Sequence, residues 1–560
     1  MSAMLLNSSE ILRPADTQNV LDRFTSTFYS LDSLRGQKLV DQFLHPPAKL
    51  NFALHGRGVY FISNQCNLNC TYCKGLDDSI VPPAFDEFER VLHGWSERGL
   101  QYLHLTGLEP TASPCLLEYL KIAEKYQIDV SLSTNGYQEF QRYQELVRHG
   151  VKYLSISLDA HNNSLTKQLG RHDDIYARVS SNIRQLVALK QEYALKIVIC
   201  LAITKVNFPL LPEIVADFLE KLHPDDIRLI PVAQETFSEV ERAYYENEIR
   251  PKLLRIASPR YPFLRFRIEH FFETRGLCHS SARKCYVVLD ERTVGGQQLY
   301  PCNIYIRERG RPIAAATDPA QNIKIWRWFL GHDSLRDPIC AAYCCDVTRE
   351  YNRMVDMRLQ ALADQQAFQP LRLFETILQE IPIRQLFAEL QRDALMALET
   401  HLRRTALNAG VLGRRLRWHD LTLYYLIRAA LLHDIGKSHP SLQQFNRSPV
   451  APQQKQMLRQ HTDYGKEMLA RLGYGMEADI AYLHHDRPDG TGYHQISLEW
   501  PMAEVVALAD AYSALTEDRS HRPKMPTATA ISTILSGECG TFREPYLRAL
   551  QACHEDYCLC

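Results

Sequence analysis

Cys66-Asn-Leu-Asn-Cys70-Thr-Tyr-Cys73 puts three thiols into eight residues, directly after the apolar run Val59-Tyr-Phe-Ile-Ser63. The run reads as a strand. A loop so rich in thiols converges them on a single metal centre. Three thiolates are one ligand short of a closed zinc or iron–sulfur site, so a structural zinc here needs a fourth ligand from elsewhere in the chain.

Working outward, five further strand-like runs follow: Tyr102 to Thr106, Ile128 to Ser133, Tyr153 to Leu158, Lys196 to Ile203, and Ile227 to Val232. Segments such as Cys115 to Tyr126 and Tyr176 to Glu192 carry apolar stripes of helical length between them. Alternation of β and α predicts a parallel sheet, either open and doubly wound or closed toward a barrel. At 560 residues the chain exceeds one core, and about 150 residues per domain predicts two to four domains. Lys plus Arg number 64 against 65 Asp plus Glu, so no evident nucleic-acid-binding surface is advertised. The start lacks a basic leader and no apolar run reaches the roughly 18 residues a membrane span needs. With 15 cysteines that cluster, the reading is a soluble cytoplasmic protein with no membrane partner, using thiols for metals in a reducing compartment.

The C-x3-C-x2-C spacing resembles that of the radical SAM enzymes. The resemblance implies a partial (β/α)6 barrel with its site at the carboxyl ends of the strands. It also implies a 4Fe-4S cluster on Cys66, Cys70 and Cys73 whose open iron takes S-adenosylmethionine, and an external electron donor. Reductive cleavage of that molecule gives a 5′-deoxyadenosyl radical. Strand ends supply matching residues: Gly107-Leu108-Glu109-Pro110 resembles the family's Gly-Gly-Glu-Pro motif, with Leu108 in the second glycine's place. Glu109 is then the acceptor for the methionyl ammonium. Ser133 and Asn135, Ser157 and Asp159, and Asn207 match family positions near the ribose and carboxylate, and Tyr72 the aromatic beside adenine. Taken singly, each is also ordinary turn chemistry.

Cys278, Cys285, Cys302, Cys340, Cys344 and Cys345 lie within seventy residues beyond the barrel. The layout resembles the SPASM or twitch extensions of radical SAM enzymes, a small hairpin with a cysteine loop, although the spacing departs from the seven-cysteine pattern. It implies one auxiliary iron–sulfur cluster on Cys285, Cys302, Cys340 and either Cys344 or Cys345, with zinc as the alternative.

From about residue 350 helical patterns take over. His401, His433-Asp434, His461, His484-His485 and Asp510 appear in an order that resembles the HD superfamily of metal-dependent phosphohydrolases, specifically its HD-GYP branch. Imidazoles and carboxylates suit Mn, Fe or similar divalent ions, and paired ions activate water while clamping phosphoryl oxygens. The resemblance implies one ion on His401, His433, Asp434 and Asp510, and a second on His461, His484 and His485 with Asp434 bridging. Lys437 would offset phosphate charge as a catalytic group. Asp486 stands for the usual Glu, His494 for Pro, and Ser513 for a second Asp, while Ala397 offers no carboxylate one turn before His401.

The predicted organisation is multidomain. An N-terminal extension (1–50) precedes an α/β radical SAM barrel (51–265) and a small α+β cysteine-rich region (266–350). A helical linker (351–385), an all-α HD domain (386–545) and a cysteine-rich tail (546–560) complete it. The predicted function is hydrogen abstraction from a peptide or protein, joined to a phosphohydrolase. The alternatives are a nucleotide substrate for both halves, or an HD domain that senses a cyclic dinucleotide and regulates the radical half.

Overall fold

The structure is a computed structural model that describes residues 33–44, 51–169, 174–233, 235–274, 276–279, 282–365, 370–392, 395–418, 420–442, 452–518 and 523–555. Its described residues fall into two compact units, one of residues 33–41 and those between 51 and 358, the other of residues 42–44 and those between 359 and 555.

The first unit is organised by one sheet with strand order β6-β5-β4-β3-β2-β1-β7-β8-β9. β1 (Arg57–Ser63), β2 (Tyr102–Gly107), β3 (Asp129–Thr134), β4 (Val151–Ser157), β5 (Lys196–Ile203) and β6 (Asp226–Pro231) are parallel neighbours joined by helical crossovers. All six strands that the apolar runs predict are present. The two faces of the sheet differ in a way that fixes where the site lies. Leu105, Leu132, Leu154, Ile156, Leu201 and Leu229 are fully buried on one face, the packed side of a βα fold. The register aligns His104 with Ser131, Ser133 with Ser155, Ser157 with Cys200, and Cys200 with Arg228 on the other face. Side chains alternate along a strand, so these residues, mostly serines with a cysteine, a histidine and an arginine, share one surface. A cavity of about 470 Å³ results, lined by His104, Thr106, Ser133, Ser155, Ser157, Cys200 and Arg228 among others.

The cysteine-rich region continues this sheet rather than standing apart from it. β7 (Arg292–Gly295) pairs parallel with β1, β8 (Gln298–Tyr300) pairs antiparallel with β7, and β9 (Ala314–Ala315) pairs antiparallel with β8. The hairpin between β7 and β8 thereby carries Cys302 to the wall of the cavity. The N-terminal segment, in which the sequence shows no motif, forms helix α1 (Ser33–Leu44), and its Arg35 is buried on Asp290 at 2.7 Å and Glu291 at 2.9 Å. Helix α2 (Asp346–Gln365) runs through residue 350, where composition suggests a boundary, because its first two turns pack with the cysteine region through Asn352, which accepts from the Tyr286 amide at 2.8 Å.

Helices are the only regular elements among the second unit's described residues. α3 (Met396–Arg415), α4 (Asp420–Leu432), α5 (His461–Arg471), α6 (Gly475–Leu483) and α7 (Pro501–Thr516) carry the ligand-type residues or the turns that follow them. α4 is apolar nearly all round, with Leu423, Tyr425, Leu426 and Ile427 fully buried, which marks it as the central helix. The charge in its interior, Arg428, is buried on Glu477 at 2.7 Å and Glu380 at 3.3 Å. Breaking such a pair from one side leaves an uncompensated buried charge, which is why these three residues must be kept together. No described helix is long and apolar enough to cross a membrane. Cys558 and Cys560 of the tail lie outside the described residues, and Cys553 is buried.

Candidate functional site

The loop after β1 presents Cys66 and Cys73 exposed and Cys70 half-buried at the mouth of the cavity. Backbone N–H groups of Leu68 and Gly75 point at the sulfurs of Cys66 and Cys73, each at 3.4 Å, and Asn135 Nδ2 lies 3.7 Å from Cys66 Sγ. Donors aimed at sulfur favour the thiolate, and three such thiols at a strand end fit the ligand set of an open iron–sulfur cluster. Burial opposes this at Cys66 and pushes its thiol upward.

Of the residues expected around S-adenosylmethionine, Tyr72, Gly107, Ser133, Asn135, Ser157 and Asp159 line the cavity. Tyr72 donates its hydroxyl to Asp159, and Asn135 Nδ2 donates to Asn67 Oδ1 at 2.7 Å. Gly107 has φ +152°, and a Cβ there would lie 2.2 Å from the Ser63 carbonyl oxygen. Only glycine lets β2 leave the sheet this close to β1.

Glu109 and Asn207 are not among the residues that line the cavity. Glu109 is fully buried, and its carboxylate accepts from the Thr111 amide at 3.0 Å, Thr111 Oγ1 at 2.5 Å, Thr134 Oγ1 at 2.8 Å and the Asn135 amide at 2.6 Å. Burial pushes its pKa up while these donors pull it back. The carboxylate thus ties the ends of β2 and β3 together. Asn207 does the same for β4 and β5, donating to the Asp159 carbonyl at 3.0 Å and the Ala202 carbonyl at 2.8 Å. A Glu109→Ala variant should lose about 3 kcal/mol in denaturant unfolding, because several buried donors lose their acceptor. Unchanged stability with weakened S-adenosylmethionine binding would return the carboxylate to the ligand.

The second thiol group faces the same cavity. Cys285, Cys302, Cys340, Cys344 and Cys345 all line it. Asp337 caps the helix Pro338–Tyr343 through the Ile339 and Cys340 amides, which orients Cys340, whose Sγ lies 3.3 Å from His332 Nε2. Burial pushes the Cys285 thiol up to about 11, and burial followed by the neighbouring thiols pushes Cys302, Cys340 and Cys344 higher. Crowded buried thiols that oppose one another's ionisation are a donor set that a cationic metal centre would satisfy.

In the helical unit the geometry is denser. Ligand atoms of His401, His433, Asp434 and Asp510 lie within 4.8 Å of one another, and so do those of Asp434, His461, His484 and His485. Asp434 belongs to both groups. Its Oδ2 faces His433 Nε2 at 3.5 Å and His401 Nε2 at 3.6 Å, while Oδ1 faces His461 Nε2 at 3.0 Å and His484 Nε2 at 3.5 Å. His433 Nε2 is buried with no hydrogen-bond partner. An orphaned imidazole nitrogen in a nest of carboxylates and imidazoles fits a divalent ion. Lys437 sits on Asp434 Oδ2, and this turn packs tightly because Gly436 has no side chain; a Cβ there would lie 2.0 Å from the His461 carbonyl oxygen.

The Nδ1 atoms set the direction of each ring. Those of His433, His461 and His484 lie 2.8, 2.7 and 2.8 Å from the carbonyls of Ala430, Leu458 and Ala481, each three residues back. His401 instead meets Glu517 Oε2 at 2.9 Å, and Glu517, 116 residues away, carries no signal in the sequence. Against burial, the hydrogen bonds to Asp510 and Glu517 lift His401 to about 9, whereas burial holds His484 at about 4 and pushes His485 well below the usual imidazole range. Despite their burial, Asp434 and Asp510 stay well below the usual carboxylate range, Asp434 chiefly through Lys437 and His433, and Asp510 through His401 and His433. Removing a carboxylate that orients a metal-binding histidine typically costs about 10–100-fold in metal affinity. Glu517→Ala should therefore weaken metal binding by that factor in a competition titration, and Glu517→Gln, which still accepts from Nδ1–H, should recover most of it.

The departures from the HD-GYP pattern have structural roles. Asp486 is fully buried and its Oδ1 accepts from the His494 amide at 3.0 Å, which closes the loop after His485. His494 stacks on Tyr482 and reaches Thr462 Oγ1 at 3.1 Å. Ser513 bonds Asn408 at 3.1 Å inside the bundle.

Residues 60–217 match the Radical SAM superfamily, and residues 398–515 match the HD domain. The chain is 31% identical over 137 residues to the probable GTP 3′,8-cyclase of Pyrococcus abyssi, covering 24% of this chain and 42% of that protein. It is also 31% identical over 140 residues to the 3′3′-cGAMP-specific phosphodiesterase 3 of Vibrio cholerae, covering 24% of this chain and 30% of that protein. The matches thus span less than half the length of these relatives. Among solved structures, Streptococcus suis SuiB bound to precursor peptide SuiA aligns at TM-score 0.38 and 15% identity over 55% of this chain and 74% of that one. The chain joins an N-terminal radical SAM domain to a C-terminal HD domain.

Proposed function

We propose that the HD half is a two-metal phosphohydrolase acting on a nucleotide phosphoester and that the radical half works on a nucleotide rather than a peptide. The observation that carries the reading is Asp434, which presents one oxygen to each of two ligand groups. His401, His433, Asp434 and Asp510 would hold one ion and Asp434, His461, His484 and His485 the other. Ions so paired activate a bridging water and stabilise charge on the phosphoryl oxygens. In the chain itself, the Nδ1 contacts aim the imidazoles of His401, His433, His461 and His484, and Lys437 keeps a cation beside the bridging carboxylate.

In the radical half, Cys66, Cys70 and Cys73 would hold the 4Fe-4S cluster and Tyr72, Asn135 and Asp159 would flank S-adenosylmethionine, the pair supplying a 5′-deoxyadenosyl radical with an external electron donor. Cys285, Cys302, Cys340 and Cys344 or Cys345 would hold an auxiliary cluster across the same cavity. The names of two relatives, one a GTP cyclase and one a cyclic-dinucleotide phosphodiesterase, favour the nucleotide over the peptide. Exposed thiols of this kind suit the reducing cytoplasm.

The test is the full chain loaded with Mn or Fe and offered a panel of nucleoside phosphates and cyclic dinucleotides. Phosphoester cleavage that stops on chelation is expected. Tight binding without cleavage would make the HD half a sensor and overturn the hydrolase reading.

A further inference from the structure

Of the thiols expected to hold the auxiliary cluster, Cys340 has a neighbour that no ligand role accounts for. His332 Nε2 lies 3.3 Å from its sulfur, and both side chains are buried. Cys340 lines the cavity together with Ser334 and Ile339, whereas His332 is not among the lining residues. The imidazole therefore reaches the sulfur from within the wall.

Local structure fixes that ring. The helix Gln321–Gly331 ends with His332 in an extended conformation, φ −79° and ψ 135°, its amide still donating to the Trp328 carbonyl at 2.8 Å. The imidazole stacks on the Trp328 indole, with ring centroids 4.0 Å apart and planes 17° from parallel. Stacking of this kind restricts the ring's orientation and keeps one edge aimed at Cys340. The helix end is itself held. Its last carbonyls lack partners inside the helix, and Lys284 Nζ donates to those of Phe329, Leu330 and His332 at 3.1, 2.6 and 2.8 Å. Lys284 directly precedes Cys285, another of the expected ligands, so one ammonium ties the backbone of His332 to that of a second thiol. On the other side, Asp337 Oδ1 accepts from the Cys340 amide at 2.8 Å. The Tyr305 hydroxyl also lies close to the Cys340 sulfur, but it donates its proton to Asp337 Oδ2 at 2.5 Å.

The direction of the His332 bond follows from cluster chemistry. A sulfur that ligates iron is a thiolate without hydrogen, so its bond with Nε2 needs the proton on nitrogen. Such a donor stabilises the more negative, reduced cluster more than the oxidised one, which raises the reduction potential.

We propose that His332 is a positioning residue that donates Nε2–H to Cys340 Sγ and raises the reduction potential of the auxiliary cluster, with Lys284 holding the helix end that aims it. The inference rests on reading the second thiol group as an iron–sulfur site and adds the residue that tunes it.

The test uses the full chain carrying Cys70→Ala, reconstituted anaerobically with iron and sulfide, so that the auxiliary cluster supplies the remaining electron paramagnetic resonance signal. Its midpoint potential is read in a dye-mediated redox titration. His332→Phe keeps an aromatic ring for Trp328 and removes the N–H. Its iron content should match the parent's, and its midpoint should fall by about 59 mV, a tenfold change in a one-electron equilibrium. His332→Gln, whose amide Nε2 still carries hydrogen, should recover most of that shift. A His332→Phe midpoint equal to the parent's would overturn the proposal. So would a His332→Gln midpoint lowered as far as that of His332→Phe, since ring shape rather than the donor would then set the potential. Loss of the auxiliary irons from both variants would make His332 a ligand and overturn it as well. Zinc in the parent's second thiol group removes the auxiliary-cluster reading and this inference with it, whereas an iron–sulfur signal whose potential ignores residue 332 removes the inference alone.

Discussion

Asp434→Asn is expected to remove both metal ions from the helical unit at once. The carboxylate turns Oδ2 toward His401 and His433 and Oδ1 toward His461 and His484, so each group loses a charged ligand with a single atom change. An amide cannot replace it, because one of its two heavy atoms is a nitrogen carrying hydrogens. Metal content should drop from two ions per chain to below one. Phosphoester cleavage should fall roughly 10³-fold, the equivalent of about 4 kcal/mol of transition-state stabilisation by the ions. His461→Ala makes the contrast, since it should empty one group and leave the other. Elemental analysis after gel filtration decides the matter, and an Asp434→Asn protein that keeps two tightly bound ions would end the shared-ligand reading.

Cys70→Ala should reduce 5′-deoxyadenosine formation to background and remove about four irons per chain, the content of one cubane cluster. The middle thiol of the loop is the most enclosed of the three, and the turn around it is closed by the Cys73 amide bonding the Cys70 carbonyl at 3.1 Å. Cys302→Ala should also lower iron, yet leave the first cluster's spectrum with S-adenosylmethionine in place, because Cys302 enters the cavity from the β7–β8 hairpin and not from the loop after β1. Zinc in place of iron at the second thiol group, found by the same analysis, would refute the auxiliary cluster. Persistent 5′-deoxyadenosine from Cys70→Ala would refute the assignment of the loop.

The parts legible in the sequence are those set by local rules. Period-two and helical patterns delivered the six parallel strands because buried strands and their crossover helices carry dense apolar signals. The thiol loop and the order of His401, His433-Asp434, His461, His484-His485 and Asp510 were equally plain, since ligand chemistry restricts residue type strongly. Glu109 and Asn207 show the limit. Both stand at strand ends with the right identity, yet their oxygens and nitrogens close the sheet rather than face the cavity. A strand-end polar residue has two possible partners, backbone or ligand, and spacing does not distinguish them. Glu517 illustrates the opposite failure, as a residue in no motif that orients His401 across 116 positions.

By itself, then, the sequence determined a βα succession ending in a helical domain, the three-thiol loop and the identity of the candidate ligand side chains. Tertiary structure alone decided that β7 would pair with β1 and bring a second set of thiols to the cavity of the first. It also decided that Asp434 would face two ligand groups. The reason is that local pattern encodes which face of an element is buried, whereas the partners gathered on that face depend on register and crossover, which few residues specify individually.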